Sequence, residues 1–310
     1  MVLMVIFLMF SGLFATVAAQ DKIVLGFSQV GAESEWRTAN TESIKNAVAN
    51  DPRIELKFSD AQQKQQNQIK AIRSFIAQGV DVISFSPVVQ TGWTTVLEEA
   101  KAAGIPVVLT DRKVDSDESL YVTLVGSDFV EEGRKAGAWL AQAMNGQANI
   151  VELQGTVGSA PAIDRKAGFE QIIQHFPNLK IIRTQSGDFT RSKGKEVMES
   201  FLKAEGENID ALFSHNDDMA IGAIQAIEEY GLKPGEDIKI VSIDGVRGAF
   251  EAMIQGKLNC TVECNPLLGP QLVEIVKGVV DGKEFPKYIP VKENIYVQSQ
   301  AKEVFSERKY

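Results

Sequence analysis

Six places along the chain pair an apolar run with polar or aromatic side chains suited to a polyhydroxylated molecule. After Ile23–Gln29 comes Gly31-Ala32-Glu33-Ser34-Glu35-Trp36-Arg37, and after Val107–Thr110 comes Asp111-Arg112. After Asn149–Gln154 a Gly/Ser/Pro loop leads to Asp164-Arg165, and after Lys180–Ser186 comes Asp188-Phe189. Ala211–Phe213 leads to Asn216, inside the stretch Ser-His-Asn-Asp-Asp-Met-Ala-Ile-Gly-Ala, and Ile238–Ile243 leads to Asp244-Gly245. Carboxylates accept hydrogen bonds, guanidinium forks donate them, and a side-chain amide does both. Hydroxyls on a sugar ring need both kinds of partner, and the Trp36 or Phe189 ring suits the ring's apolar C–H face. Hydrogen bonds to charged groups contribute about 1.5–3 kcal/mol each. A handful of them supplies the roughly 8 kcal/mol of micromolar binding, after ordering and desolvation costs.

Those residues must be held by the elements that precede them. Apolar strands alternate with amphipathic helices: Ile23–Gln29, then helix Trp36–Asn50; Ile54–Ser59, then helix Gln63–Gln78; Val82–Phe85, then helix Thr94–Ala103; then Val107–Thr110. This rhythm predicts a parallel sheet covered on both faces. A second alternation follows the strand Tyr121–Gly126 and runs through Ala249–Gln255, and the tail Asn259–Tyr310 adds two strands and a helix. One sheet of so many strands is unusual, and two domains of roughly 110–140 residues suit ordinary domain sizes. Residues that follow strands lie at the carboxyl edge of such a sheet, where ligands bind. Two such edges face to face make a cleft.

Each residue also has a plainer reading. Asp111-Arg112 is equally a turn with an ion pair, Asp244-Gly245 a turn signal, and Trp36 ordinary core. Asp217 is read as an N-cap. Glu33 and Glu35 lie two apart in one loop, a poor placement for the two carboxylates of glycoside hydrolysis. No G-x-G-x-x-G follows a strand. Gly187 to Gly194-Lys195 has the wrong spacing for a P-loop, and His175 and His215 lack a neighbouring nucleophile.

The bulk composition narrows the classes further. The 310 residues are 44% hydrophobic and carry a net charge of −9, so nucleic acid is not an expected partner. Two His and two Cys are too few for a zinc cluster, and no metal is expected. Residues 1–19 are almost wholly apolar and end in Thr16-Val17-Ala18-Ala19, which predicts a cleaved export signal and a mature chain starting near Gln20. Cys260 and Cys264, in one straight strand, sit about 13 Å apart, beyond the roughly 7 Å of a disulfide. Both are expected to be free thiols.

With these residues in view, the chain resembles the periplasmic sugar-binding proteins of the ribose-binding (type I) class, the receptors of ABC importers, and within them the galactofuranose-binding branch. The resemblance runs from Lys22 to the end and rests on seven segments: Gly26–Arg37, Gln66–Asp81, Asp111–Lys113, Val151–Phe169, Gln185–Phe201, Ser214–Ile227 and Ser242–Gly245. It implies an α/β fold of two Rossmann-like parallel-sheet domains joined by a three-crossing hinge. It places residues 22–126 plus 264–287 in one lobe and 127–263 plus 288–310 in the other, with crossings near Ser127, Glu263 and Tyr288. It implies ligand contacts from Glu33, Ser34, Trp36, Arg37, Asp111 and Arg112 in the first lobe and from Arg165, Phe189, Asn216 and Asp244 in the second. The implied role is non-enzymatic: a periplasmic monomer without cofactor captures galactofuranose or a related hexose or pentose and delivers it to an inner-membrane ABC permease. The same fold also serves signalling and chemotaxis receptors. A sugar-responsive regulator needs a helix-turn-helix that the acidic chain does not offer, and an exported sugar-acting enzyme is the remaining alternative. Where ribose-binding relatives carry a hinge Gln, this chain has Cys264. Arg247-Gly248 stands where they often have Pro-Asp, and a disulfide of the galactofuranose-binding branch has no matching cysteines here.

Overall fold

A computed structural model describes residues 22–310. The leader expected over residues 1–19 lies outside the described residues. The first lobe opens with β1 (Ile23–Gln29), α1 (Glu35–Ala49), β2 (Ile54–Asp60), α2 (Gln65–Ala77), β3 (Val82–Phe85), α3 (Thr94–Ala102), β4 (Val107–Thr110) and β5 (Thr123–Gly126). The chain then crosses and builds α4 (Phe129–Ala143), β6 (Gln147–Gln154), α5 (Ala160–Ile173), β7 (Asn178–Ser186), α6 (Arg191–Glu205), β8 (Ala211–Ser214), α7 (Asp217–Tyr230), β9 (Lys239–Asp244), α8 (Arg247–Ile254) and β10 (Cys260–Glu263). It returns for α9 (Gly269–Val280) and β11 (Tyr288–Pro290), then crosses again to β12 (Ile295–Val297) and the short α10 (Ala301–Val304). No described helix is long and apolar enough to cross a membrane.

The strands form two six-stranded sheets, ordered β2-β1-β3-β4-β5-β11 and β7-β6-β8-β9-β10-β12. Every pairing is parallel except β10 with β12. Strands β3, β4 and β8 are buried along their whole length, as strands covered by helices on both faces must be. In the first lobe the sheet splits the core into one face with α2 and α3 and another with α1 and α9. The order reverses beside β1 in one sheet and beside β6 in the other. Crevices at such reversals, outside the carboxyl ends of the strands, are where open α/β sheets hold ligands.

Two expectations about the tail need correction. It holds three strands rather than two. A boundary at Tyr288 also assigns residues 288–290 to the wrong lobe, because Tyr288, Ile289 and Pro290 pair with Leu124, Val125 and Gly126 of β5 and extend the first sheet. The third crossing therefore lies at residues 291–294. A three-residue edge strand ending in Pro carries too little pattern to be read in advance.

Candidate functional site

All ten residues singled out from the sequence line one cavity of about 280 Å³ between the lobes: Glu33, Ser34, Trp36, Arg37, Asp111, Arg112, Arg165, Phe189, Asn216 and Asp244. Phe129, Pro161 and Cys264 complete the wall. The same signal, a position just past a strand end, marks Phe129 after β5 and Cys264 after β10. Pro161 sits in the first turn of α5.

Helix starts deliver most of the wall. Ser34 caps α1 by accepting from the Arg37 N–H at 3.1 Å, which fixes Trp36 and Arg37 in the first turn. Asn216, not Asp217, caps α7: its Oδ1 accepts from Met219 N at 3.0 Å while its Nδ2 donates to the Phe189 carbonyl at 3.1 Å. Asp217 instead turns inward and accepts from the Ser242 hydroxyl, from Thr261 Oγ1 at 2.9 Å and from Gly245 N at 2.7 Å. It thereby anchors the turn that follows Asp244. Burial, opposed by these bonds, pushes its carboxyl up to about 7.

The three arginines are held from behind. Arg37 donates to Asp111 Oδ2 at 2.7 Å, to Glu33 Oε1 at 3.1 Å and to Gln29 Oε1 at 3.2 Å. Ser86 Oγ donates to the same Asp111 oxygen at 2.8 Å. Burial works to raise the Asp111 carboxyl, but the Arg37 and Arg112 charges outweigh it and hold the group low. Arg112 donates to the Val88 carbonyl at 3.2 Å, its Nε is buried without a partner, and its guanidinium lies 5.4 Å from the Phe189 ring centre. Burial and the neighbouring Arg37 charge bring it down to about 10. Arg165 donates to Glu132 Oε2 at 2.7 Å and to the His215 carbonyl at 2.6 Å, and its Nη2 lies 3.6 Å from Asp244 Oδ1.

Glu132, on α4, escaped the sequence reading because its partner sits on another helix 33 residues away. The two helices meet closely at glycines. A side chain on Gly133 would run into the Arg165 carbonyl, and one on Gly168 into the Val130 carbonyl. A second support lies behind His215. Its Nε2 and Glu152 Oε1 are 3.1 Å apart, and Thr184 Oγ1 and Lys166 Nζ donate to Glu152 Oε2 at 2.7 and 3.0 Å.

Residues of the cavity wall hold unspent hydrogen-bonding capacity. Glu33 Oε2 and Arg112 Nε are buried and unpartnered, and the Asp244 carboxylate accepts no hydrogen bond among the described residues, its nearest cation being Arg165. Burial outweighs Arg165 and pushes the Asp244 carboxyl well above the ordinary range. Three wall residues also hold strained backbone: φ is +64° at Asp111, +62° at Phe189 and +132° at Asp244. Such conformations cost about 1–3 kcal/mol each and cluster at binding sites.

Trp36 ties the first lobe to the second crossing. Its indole Nε1 donates to the Cys264 carbonyl at 2.6 Å, and the Arg37 guanidinium stacks 4.6 Å from the ring centre. At the cleft mouth Lys113 meets Asp164 at 2.6 Å, Gln90 N donates to the Gly158 carbonyl at 2.9 Å, and Glu35 N donates to Asp218 Oδ2 at 2.7 Å. Glu33 and Glu35 thus diverge, one to the cavity and one to the mouth. Cys260 and Cys264 are both free and buried.

Two doubly wound lobes, three crossings and a closed polar cavity at facing strand ends define a two-lobed α/β binding protein. The chain belongs to the periplasmic binding protein family, whose domain it matches over residues 25–284, and it has the type I fold of that family. It is 53% identical over 304 residues to the galactofuranose-binding protein YtfQ of Escherichia coli, covering 96% of this chain and 95% of that one. It is 54% identical to the periplasmic binding protein component of the arabinose ABC transporter from Shewanella sp. ANA-3, solved with α- and β-L-arabinofuranose bound. That match has a TM-score of 0.89 and covers 92% of this chain and 95% of that one. A Mycobacterium smegmatis structure in complex with β-D-fucofuranose matches at 55% identity with a TM-score of 0.90, covering 93% and 95%.

Proposed function

We propose that the protein captures a monosaccharide in its furanose form by closing its lobes around it and hands it to an ABC permease. The observation that carries this reading is the convergence of ten strand-end residues on one closed cavity with unspent donors and acceptors. The cavity's charge balance supports a neutral ligand. Arg37 is matched by Glu33 and Asp111, and Arg165 by Glu132 and Asp244. An anionic sugar finds no unmatched guanidinium except Arg112, which itself lies 3.6 Å from Asp111. The relatives named above are a galactofuranose-binding protein and structures holding L-arabinofuranose and β-D-fucofuranose. These three sugars share a five-membered ring.

In this role Asp111, Asp244 and Glu33 accept from ring hydroxyls, while Arg37, Arg112 and Arg165 donate to ring and hydroxyl oxygens. Trp36 and Phe189 cover the C–H faces, and Ser34 and Asn216 shape the rim while capping their helices. Sugar binding shifts the population toward the closed form by its preference for that form. The protein acts without catalysis, as a monomer in the periplasm, after removal of the leader expected over residues 1–19. The test is isothermal calorimetry with L-arabinose, D-galactose, D-fucose and D-ribose. Binding of at least one with one site per chain is expected. No binding to any of them, or turnover of a bound sugar into product, overturns the reading.

A further inference from the structure

The three chain crossings meet at one cluster behind the cavity, in which Glu132 and Cys264 are buried and Glu293 is half-buried. Ser127 belongs to the first crossing, Cys264 and Asn265 to the second, and Glu293 to the third. The Ser127 hydroxyl donates to Glu293 Oε1, which also accepts from the Asn265 N–H at 2.9 Å. Ser127 Oγ lies 3.4 Å from Cys264 Sγ. Glu132 reaches the same point from the first turn of α4. A carboxylate oxygen of Glu132, the Cys264 sulfur and a carboxylate oxygen of Glu293 lie within 4.8 Å of one another. Glu132 Oε2 is taken by Arg165, and Glu132 Oε1 is buried without any partner.

The charges around this cluster do not balance. Arg165 is its one guanidinium, and Asp244 draws on it as well. Lys135 spends its ammonium on the Glu293 backbone carbonyl at 3.2 Å. Asp111 and Asp244 from the cavity side, and Asp128 and Tyr288 from the hinge side, add acidic groups and no cation. Two carboxylates this close, one buried and one half-buried, resist ionising together. Burial first, and then the charge of Glu132, pushes the Glu293 carboxyl up to about 9, and burial raises Glu132 as well.

We propose that Glu293 and Glu132 hold a proton between them at the hinge, and that closing of the cleft on a sugar is linked to keeping it. This rests on the hinge-closing reading above. Rotation of the lobes turns the backbone at Ser127, Cys264–Asn265 and Glu293 and parts the groups that each crossing contributes. Water then reaches the carboxyls, and Glu293 drops toward its ordinary value and gives up the proton. The closed form takes the proton back. Because Glu132 also holds Arg165, the proton and the sugar act on the same guanidinium. The sign follows from the raised carboxyl. Closing is favoured at low pH and weakens as pH rises toward 9, by at most about tenfold in affinity per pH unit for one proton.

The test is calorimetric titration of L-arabinose into the mature protein between pH 6 and 9, in buffers of different ionisation heat. Wild type should weaken at least about fivefold from pH 6.5 to 8.5 and take up protons on binding. Glu293→Gln keeps an oxygen for Ser127 and Asn265 and should bind with a flat profile and no proton uptake at this site. Ser127→Ala removes a bond that favours the ionised carboxylate, so it should shift the profile to higher pH instead. Thermal unfolding at saturating sugar, where the closed form is populated, gives a second readout: the wild-type midpoint should fall between pH 6 and 9 and the Glu293→Gln midpoint should fall less. Equal pH slopes and equal proton counts in wild type and Glu293→Gln overturn the proposal. If no sugar binds either protein, the sugar reading fails and the linkage of the proton to closing falls with it, whereas sugar binding with equal pH slopes sinks the proton site alone.

Discussion

Asp244→Asn separates ligand binding from stability, because the two should move in opposite directions. The Asp244 carboxylate has no hydrogen-bond donor among the described residues, and its nearest cation is 3.6 Å away. It is buried to 3% exposure. In the unliganded protein it is therefore an under-compensated acid, and burial raises it accordingly. Asn has the same shape, carries no charge to desolvate, and meets the same backbone demand at φ +132° as the Asp it replaces. Unliganded stability should hold or rise. Affinity should fall, because a sugar hydroxyl donating to a carboxylate loses a charge-assisted bond worth about 1.5–3 kcal/mol. At 1.4 kcal/mol per tenfold, that is a loss of about 10–150-fold in affinity. Calorimetry with the best-binding sugar and thermal unfolding without it measure the two quantities. A loss of less than about threefold in affinity, or an unliganded midpoint lowered by more than about 4 °C, which is a kcal/mol or more for domains of this size, refutes the reasoning.

Arg112→Ala should weaken sugar binding at least about tenfold while the fold survives, and Arg112→Lys should not restore it, since a lysine lacks the planar fork and its Nε–H; calorimetry and circular dichroism check this. Lys113→Met removes the pair with Asp164 across the cleft mouth. With Lys113 46% exposed, the loss should stay within about fivefold and vanish at high salt, as stopped-flow dissociation rates at two ionic strengths would show. Glu152 is held low because bonds from His215, Thr184 and Gln154 outweigh the upward push of burial. Its stabilisation is therefore present above the unfolded-state value near 4.5 and lost as pH falls. Glu152→Gln should cost at least about 1.5–3 kcal/mol at pH 7 and make the acid limb of a stability–pH curve shallower; parallel limbs would count against the assignment.

Much of this site was legible because one geometric rule covers it. A polar or aromatic residue at the end of a strand, or within three residues past it, lands at the sheet's carboxyl edge, and Asp111, Phe189 and Asp244 each follow that rule. Phe129 and Cys264 obey it too, but each also looks like ordinary core, so they were passed over. Asn216 and Asp217 are adjacent and both suit a helix cap. The choice between them depends on Ser242 and Thr261, which approach Asp217 from other strands. The supports that aim the arginines were not legible. Glu132, His215 and Glu152 act across helix and strand contacts that leave no local pattern. The third crossing was misplaced because β11 has three residues at a sheet edge and its pairing with β5 is set by tertiary position.

The most direct measurement is a crystal structure of the mature protein grown with L-arabinose. We expect one furanose ring between Trp36 and Phe189, with its hydroxyls within hydrogen-bond reach of Asp111, Arg112, Arg165 and Asp244. A sugar bound outside the lobes, or a closed cavity left empty while calorimetry records binding, contradicts the assignment of the site.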